Sequence, residues 1–218
     1  MKTRLILYLS TLLLLVSTLV FAQKPMVVRT DGHRSYFYEP DAKNWIYVLK
    51  DKSVDVSKVF KMSYGTLYIS GESSGYLRTK TIYSNYELNI QYRWTKVLAN
   101  SGVLVHMQLP DTVWPACYQV QQKADAAGDI ICMNGLWAKE CKDSVKFTVP
   151  KMKPSNEKQL GEWNSMKIIC KGKTLKVFVN GLLQNYITGM TANKGFIGFQ
   201  NEGKPLEFKE MSVIKLIE

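Results

Sequence analysis

Residues 162–181 alternate apolar and polar side chains with a period of two and break twice at glycine, a pattern that suits a pleated strand and not a helix. Met166, Ile168 and Cys170 share one side, Lys171-Gly172-Lys173 turns the chain, Leu175, Val177 and Val179 resume the alternation, and Asn180-Gly181 turns it again. Asn-Gly between alternating runs is the strongest short-range hairpin signal. A second stretch behaves alike: Gly195-Phe196-Ile197-Gly198-Phe199-Gln200 leads into Asn201-Glu202-Gly203, and residues 206–217 resume a strand.

Strand signals recur along the chain at 45–49, 66–70, 75–79, 86–94, 102–108, 117–122, 129–133 and 145–149. In 86–94, Tyr86, Leu88, Ile90 and Tyr92 oppose Glu87, Asn89, Gln91 and Arg93. Many short strands with polar turns and few helical signals predict an all-β, two-sheet sandwich or jelly roll. The Trp-Asn opening, the Val-Asn-Gly hairpin and the glycine-spaced strand resemble the concanavalin/laminin-G type. Residues 150–161, rich in lysine with Pro154, Ser155 and Asn156, read as an exposed loop. Tyr64, Tyr68 and Tyr76 read as the edge of the core rather than as a second aromatic surface.

Met1-Lys2-Thr3-Arg4, an apolar run over 5–21 and Val20-Phe21-Ala22 describe a secretory leader over 1–22. The expected organisation is that leader, an N-terminal arm over 23–40 and one jelly-roll domain over 41–218. The protein is then exported, periplasmic or extracellular, with no stable membrane anchor once the leader is removed. The net charge of +11 falls by two without Lys2 and Arg4. Its lysines are spread over turns and polar strand faces with no nucleic-acid motif, so a solvated face is expected and nucleic acid is not an expected partner. Four cysteines in an exported chain permit three pairings. Cys132 and Cys141 flank one short connection and are the favoured bridge, whereas Cys117 and Cys170 fall in apolar strand patterns. His33 and His106 are far apart and no close cysteine pair exists, which argues against zinc. No cofactor is required by the sequence, and a divalent cation is compatible with it.

Polar groups placed on strands single out three segments: 100–106, 114–121 with Ala127-Gly128-Asp129, and 200–203. Gln119 and Gln121 are two apart and project from one strand face. Amides both donate to and accept from hydroxyls, and an indole such as Trp114 stacks on the apolar face of a pyranose. That combination suits a sugar.

The chain resembles the 3-keto-disaccharide hydrolase domain, also described as a 3-keto-glucoside lyase and 3-keto-2-hydroxy-glucal hydratase domain. The resemblance spans about residues 45–216. It rests on Tyr86-Glu87-Leu88, Asn100-Ser101-Gly102, Trp114-Pro115 through Gln121, Ala127-Gly128-Asp129, Glu162-Trp163-Asn164, Asn180-Gly181, Ile197-Gly198-Phe199-Gln200, Glu202-Gly203 and Glu207-Phe208. It implies an exported bacterial protein with a concanavalin-like jelly roll, acting on carbohydrate or 3-keto-glycosides. A ketone at carbon 3 acidifies the carbon 2 proton; its removal expels the group on carbon 1, and water then adds back. Such chemistry needs a base, a proton source and enolate stabilisation.

His106, Asp129 and Glu202 are the catalytic candidates; Asn100, Trp114, Gln119, Gln121 and Gln200 are the candidates for binding substrate. Gln119, Gln121, Asp129 and Gln200 are expected in one cleft, Trp114 on its wall and His106 or Glu202 at its edge. Three positions depart from the family pattern. Gln119 stands where a glutamate is usual, the region of His106 where an arginine is common, and Lys209 where an arginine is expected after Glu207-Phe208. Loss of the carboxylate at 119 would remove a base or a cation ligand. A non-catalytic carbohydrate-binding module of the same fold is therefore the alternative, and a charged adhesion domain a third reading.

Overall fold

Alternation in the sequence becomes alternation in burial. Along Tyr86–Trp94 every second side chain, beginning with Tyr86, is buried, and Asn164–Lys171 repeats the pattern. The computed structural model describes residues 34–37 and 45–217. The expected leader over 1–22 and most of the arm lie outside them.

The elements in chain order are β1 (Arg34–Tyr36), β2 (Trp45–Leu49), α1 (Val56–Val59), β3 (Phe60–Ser63), β4 (Thr66–Ile69), β5 (Gly75–Thr79), β6 (Tyr86–Trp94), β7 (Gly102–Met107) and β8 (Cys117–Gln121). They continue with β9 (Ile130–Met133), β10 (Thr148–Val149), β11 (Asn164–Lys171), β12 (Thr174–Val179), β13 (Leu182–Ile187), β14 (Phe196–Asn201) and β15 (Leu206–Lys215). Two antiparallel sheets result. One runs β13-β12-β11-β6-β15-β4-β3 with β1 added beside β15; the other runs β10-β9-β8-β7-β14-β5-β2. The expected two-sheet jelly-roll sandwich is the observed fold.

The Asn180-Gly181 turn has φ of 47° and 82° at its two central residues, the left-handed pair that a two-residue hairpin needs. Between the sheets lies one continuous core. Phe199 of one sheet meets Phe208 of the other edge-to-face at 5.0 Å, and Trp45 lies 6.1 Å from Phe199.

Local differences from the expectation have physical causes. Arg34–Tyr36, inside the expected arm, pair with Ile214 to Ser212 of β15, so this part is a sheet-edge strand. Only Thr148–Val149 of the expected 145–149 strand pairs, because Asp143 Oδ1 accepts from the amides of Val145 and Lys146 and closes a turn there. The loop at 150–161 is largely exposed, as expected, and is pinned by Asn156, which donates to the Val179 carbonyl at 2.6 Å. All four cysteines are free thiols, against the expected Cys132–Cys141 bridge. The two thiols do meet by hydrogen bonding. Both are buried in the apolar core, where desolvation first and the contact with Cys141 second raise the Cys132 thiol pKa. Among the described residues no helix is long and apolar enough to cross a membrane.

Candidate functional site: an amide floor on the outer face of one sheet

Strand parity divides β7, β8 and β14 between two environments. Val103, Val105, Tyr118, Val120, Ile197 and Phe199 enter the core between the sheets. Leu104, Cys117, Gln119, Gln121 and Gln200 alternate with them and face outward. On that outer face Tyr76, Leu104, Met107 and Cys117 form a small apolar cluster of their own.

The amides meet beside that cluster. Gln119 Nε2 donates to Gln121 Oε1 and to Gln200 Oε1, both at 3.1 Å. Gln200 belongs to β14 and Gln119 to β8, with β7 between them. The reach is open because Gly102 has no side chain: a Cβ there would stand 2.6 Å from Gln119 Cγ and 2.9 Å from its Nε2. Gln121 Oε1 also accepts from the amides of Gln122 and Lys123. The cluster is thus held from below, while the Nε2 groups of Gln121 and Gln200 donate to no partner among the described residues.

A carboxyl stands at the rim. Glu202 follows β14, is half-buried, and has its pKa raised by desolvation, opposed by a hydrogen bond from Asn100 and the charge of Lys123. Asn100 leads into β7 and Lys123 follows β8, so both loops converge on the end of the sheet that carries Gln121 and Gln200. Asp129 opposes Gln121 across the strands, where its carbonyl accepts from the Gln121 amide at 2.8 Å. Its Oδ1 accepts from the Lys151 amide at 2.8 Å and ties the β8–β9 loop to the chain beyond β10.

Gln119, Gln121, Gln200, Asn100 and Glu202 therefore come together, with Asp129 next to them. Trp114 is on the β7–β8 loop, at the opposite end of β8; its carbonyl accepts from Asn134 Nδ2 and from Thr112 Oγ1, and its side chain is exposed. His106 does not join the site. The register between β7 and β14 shifts over this stretch and His106 takes φ of 49°, so the alternation slips and the imidazole enters the core. There it packs edge-on between Tyr86 and Tyr118, with Nδ1 3.2 Å from the Ala192 carbonyl. Burial lowers its pKa, opposed by its hydrogen bonds to backbone. A wholly buried imidazole facing two tyrosines is a packing residue, and the catalytic expectation for His106 is corrected.

The sequence reading missed a charged group on the same face. Tyr76 and Arg78 of β5 lie cross-strand from Gln200 and Gly198. Arg78 forms a fork on Asp111, Nε to Oδ1 at 2.7 Å and Nη2 to Oδ2 at 2.6 Å, and its guanidinium lies 4.0 Å from the Phe196 ring centre. Tyr76 adds its hydroxyl to Asp111 Oδ1 at 3.0 Å. The hydrogen bonds from Arg78 and Tyr76 hold the Asp111 carboxyl below its usual range, while burial and that carboxylate push the Tyr76 phenol well up. Arg78 is nearly buried yet sits in a five-residue strand with every side chain covered. Only its place in that covered strand marked it out. Among the described residues no group of three or more His, Cys, Asp or Glu is arranged to hold a metal ion.

A profile of the 3-keto-alpha-glucoside-1,2-lyase-like domain matches residues 32–214. Among solved structures, a provisionally assigned glycosyl hydrolase from Parabacteroides distasonis superposes with a TM-score of 0.63 at 21% identity, covering 84% of this chain and 100% of that one. The carbohydrate-binding module CBM66 from Bacillus subtilis gives 0.51 at 9% identity, covering 78% and 94%. The Bacillus licheniformis beta-glucanase gives 0.54 at 10%, covering 85% and 98%. At these identities the likeness is one of fold. Among proteins of curated function none matches significantly.

Proposed function

Because the chain belongs to the 3-keto-alpha-glucoside-1,2-lyase-like domain family, a family of carbohydrate-active domains, we propose that it cleaves 3-keto-glycosides by elimination across carbons 1 and 2 followed by hydration. The observation that carries the reading is the amide floor with the desolvated Glu202 carboxyl at its rim. Gln121 and Gln200 supply unclaimed Nε2 donors for the carbon 3 oxygen, where negative charge develops when the carbon 2 proton leaves. Glu202, its pKa raised by desolvation, takes that proton as the base, exchanges it with solvent, and delivers a solvent-derived proton to carbon 2 when water adds at carbon 1. Asp129 keeps one carboxylate oxygen free of the Lys151 amide and orients the water that protonates the departing oxygen. Asn100 positions Glu202, and Trp114 offers an aromatic wall at the far end of β8. The leader read at residues 1–22 supports a place for this activity in the periplasm or the medium.

Calorimetry with glucosides and product detection with 3-keto-glucosides, run on the same variants, test the reading. Glu202→Gln is expected to bind with near-normal affinity and to lose about 10²–10⁴-fold in rate. Undiminished turnover in that variant would refute the assignment.

Gln119 favours a second reading. Where the family carries a carboxylate, this chain has an amide whose Nε2 is already committed to its two neighbours. A carbohydrate-binding module without turnover would look like this. The readings separate on Gln119→Glu: a gain of turnover from a silent wild type supports the binder, and an active wild type supports the enzyme.

A further inference from the structure

The outer face of the other sheet carries a second row of side chains in register. Lys61 of β3 pairs with Tyr68 of β4, Tyr68 with Glu207 of β15, and Glu207 with Arg93 of β6. Beyond Arg93 stands Trp163, whose ring lies 4.5 Å from the Arg93 guanidinium and 4.3 Å from Lys209 Nζ. The row thus reads cation, aromatic, anion, cation, aromatic across the sheet.

Within the row, partners are unevenly distributed. Glu207 is held by Arg93 at 2.7 Å and only 15% of its side chain is exposed, so its charge is neutralised inside the row. Trp163 is covered by two cations. Tyr68 is 41% exposed, and among the described residues its ring has no stacking or cationic neighbour and its hydroxyl no hydrogen bond. Among the described residues Lys61 forms no ion pair, and Lys58 makes none within 4 Å, although its charge helps hold the exposed Asp55 carboxyl below its usual range. These unsatisfied groups surround one feature, a groove of about 390 Å³ bounded by α1, β3, β4 and the start of β15. Ser63, Ser70 and Thr95 add hydroxyls to its lining, and Tyr68 forms its aromatic wall.

We propose that this groove binds an anionic sugar, a ring carrying a carboxylate or sulfate within an acidic polysaccharide, on the face opposite the amide floor. Each part of such a ligand has a counterpart. An exposed phenol ring accepts the apolar face of a pyranose, hydroxyl-bearing side chains meet its hydroxyls, and the exposed ammonium groups of Lys58 and Lys61 meet the anion. An inorganic anion alone would leave Tyr68 unused, and an apolar peptide would leave both lysines desolvated and unpaired. The proposal does not depend on the reaction assigned to the amide floor, and the excess of basic residues over the whole chain favours the encounter.

The test is calorimetric titration of the full protein with an oligogalacturonide, a neutral cello-oligosaccharide of equal length and polyglutamate. The acidic oligosaccharide is expected to bind best, and binding is expected to weaken steeply with salt. Tyr68→Ala should lose about tenfold in affinity, the upper range for one aromatic contact, while turnover of 3-keto-glucosides is unchanged. Lys58→Gln/Lys61→Gln should remove the preference for the acidic sugar over the neutral one. Gln119→Ala should leave oligogalacturonide affinity unchanged. Tyr68 and both lysines are exposed, so the variants are expected to keep the wild-type melting temperature. Equal affinity for the neutral sugar, polyglutamate binding as tight as that of the oligogalacturonide, an unchanged Tyr68→Ala variant, or no binding at all would each overturn the proposal.

Discussion

Gly102→Ala probes the one empty volume on which the amide floor depends. The added Cβ would sit 2.6 Å from Gln119 Cγ, 2.9 Å from Nε2 and 3.0 Å from Cδ. Backbone strain is not at issue, because Gly102 is not among the residues with positive φ. The clash must instead expel the Gln119 side chain, which is 4% exposed and holds two hydrogen bonds at 3.1 Å. Each net hydrogen bond contributes about 1 kcal/mol, so the variant should lose about 2 kcal/mol. For a domain of this size that corresponds to a fall in Tm of about 4–8 °C. Sugar affinity should fall with it, since Gln121 and Gln200 lose the amide that fixes them. Urea denaturation of a double-mutant cycle with Gln119→Ala isolates the cause. Once Gln119 is alanine, the clash has no target, and Gly102→Ala should cost under about 0.5 kcal/mol. A Gly102→Ala variant as stable as wild type, or costs that add fully, would refute the geometry.

Other consequences follow from the same structure. His106→Asn tolerates the positive φ but empties space between Tyr86 and Tyr118; it should lose about 1–3 kcal/mol of stability in urea titrations while kcat per folded molecule stays at wild type. Asp111→Asn tests the Arg78 fork by acid denaturation. The folded Asp111 carboxyl sits below its unfolded value, so its stabilisation is complete above about pH 4 and is lost as pH falls through the depressed folded value. The variant should therefore be less stable at neutral pH and lose less on acidification; a parallel acid profile would contradict the fork. Burial raises the Glu202 pKa, so kcat/KM should rise with pH through a value above the usual range for glutamate, and Lys123→Met should move that limb higher. Mass spectrometry under native conditions should show no alkylation of Cys132 and Cys141, which core burial protects, and rapid labelling of either would count against their placement.

Period-two patterning was legible in β6 and β11, where one face is buried and the other is not. The Asn180-Gly181 hairpin was legible because its turn demands residues that tolerate positive φ. The pairing of Gln119 with Gln121 followed from parity, whereas Gln200 was grouped with them through the family motif that its segment matches. His106 failed under the same rule, since a bulge in β7 shifts the alternation by one, and no local residue announces it. The Arg78 and Asp111 fork joins residues distant in sequence and leaves no local trace. Short edge strands such as β1 and β3 carry too few residues to show a period. Cys132 and Cys141 meet as their spacing suggested, but the apolar packing that buries both belongs to tertiary structure.

The central claim, elimination and hydration at the amide floor, is tested most directly by turnover of a 3-keto-glucoside in deuterium oxide. Early time points, taken before uncatalysed enolisation exchanges the product, should show 3-keto-glucose with one deuterium at carbon 2 and release of the unmodified leaving group. Glu202→Gln should yield neither. Product formed without deuterium at carbon 2 would mean direct displacement at carbon 1, and a Glu202→Gln variant that incorporates deuterium at the wild-type rate would place the base elsewhere; either result contradicts the account.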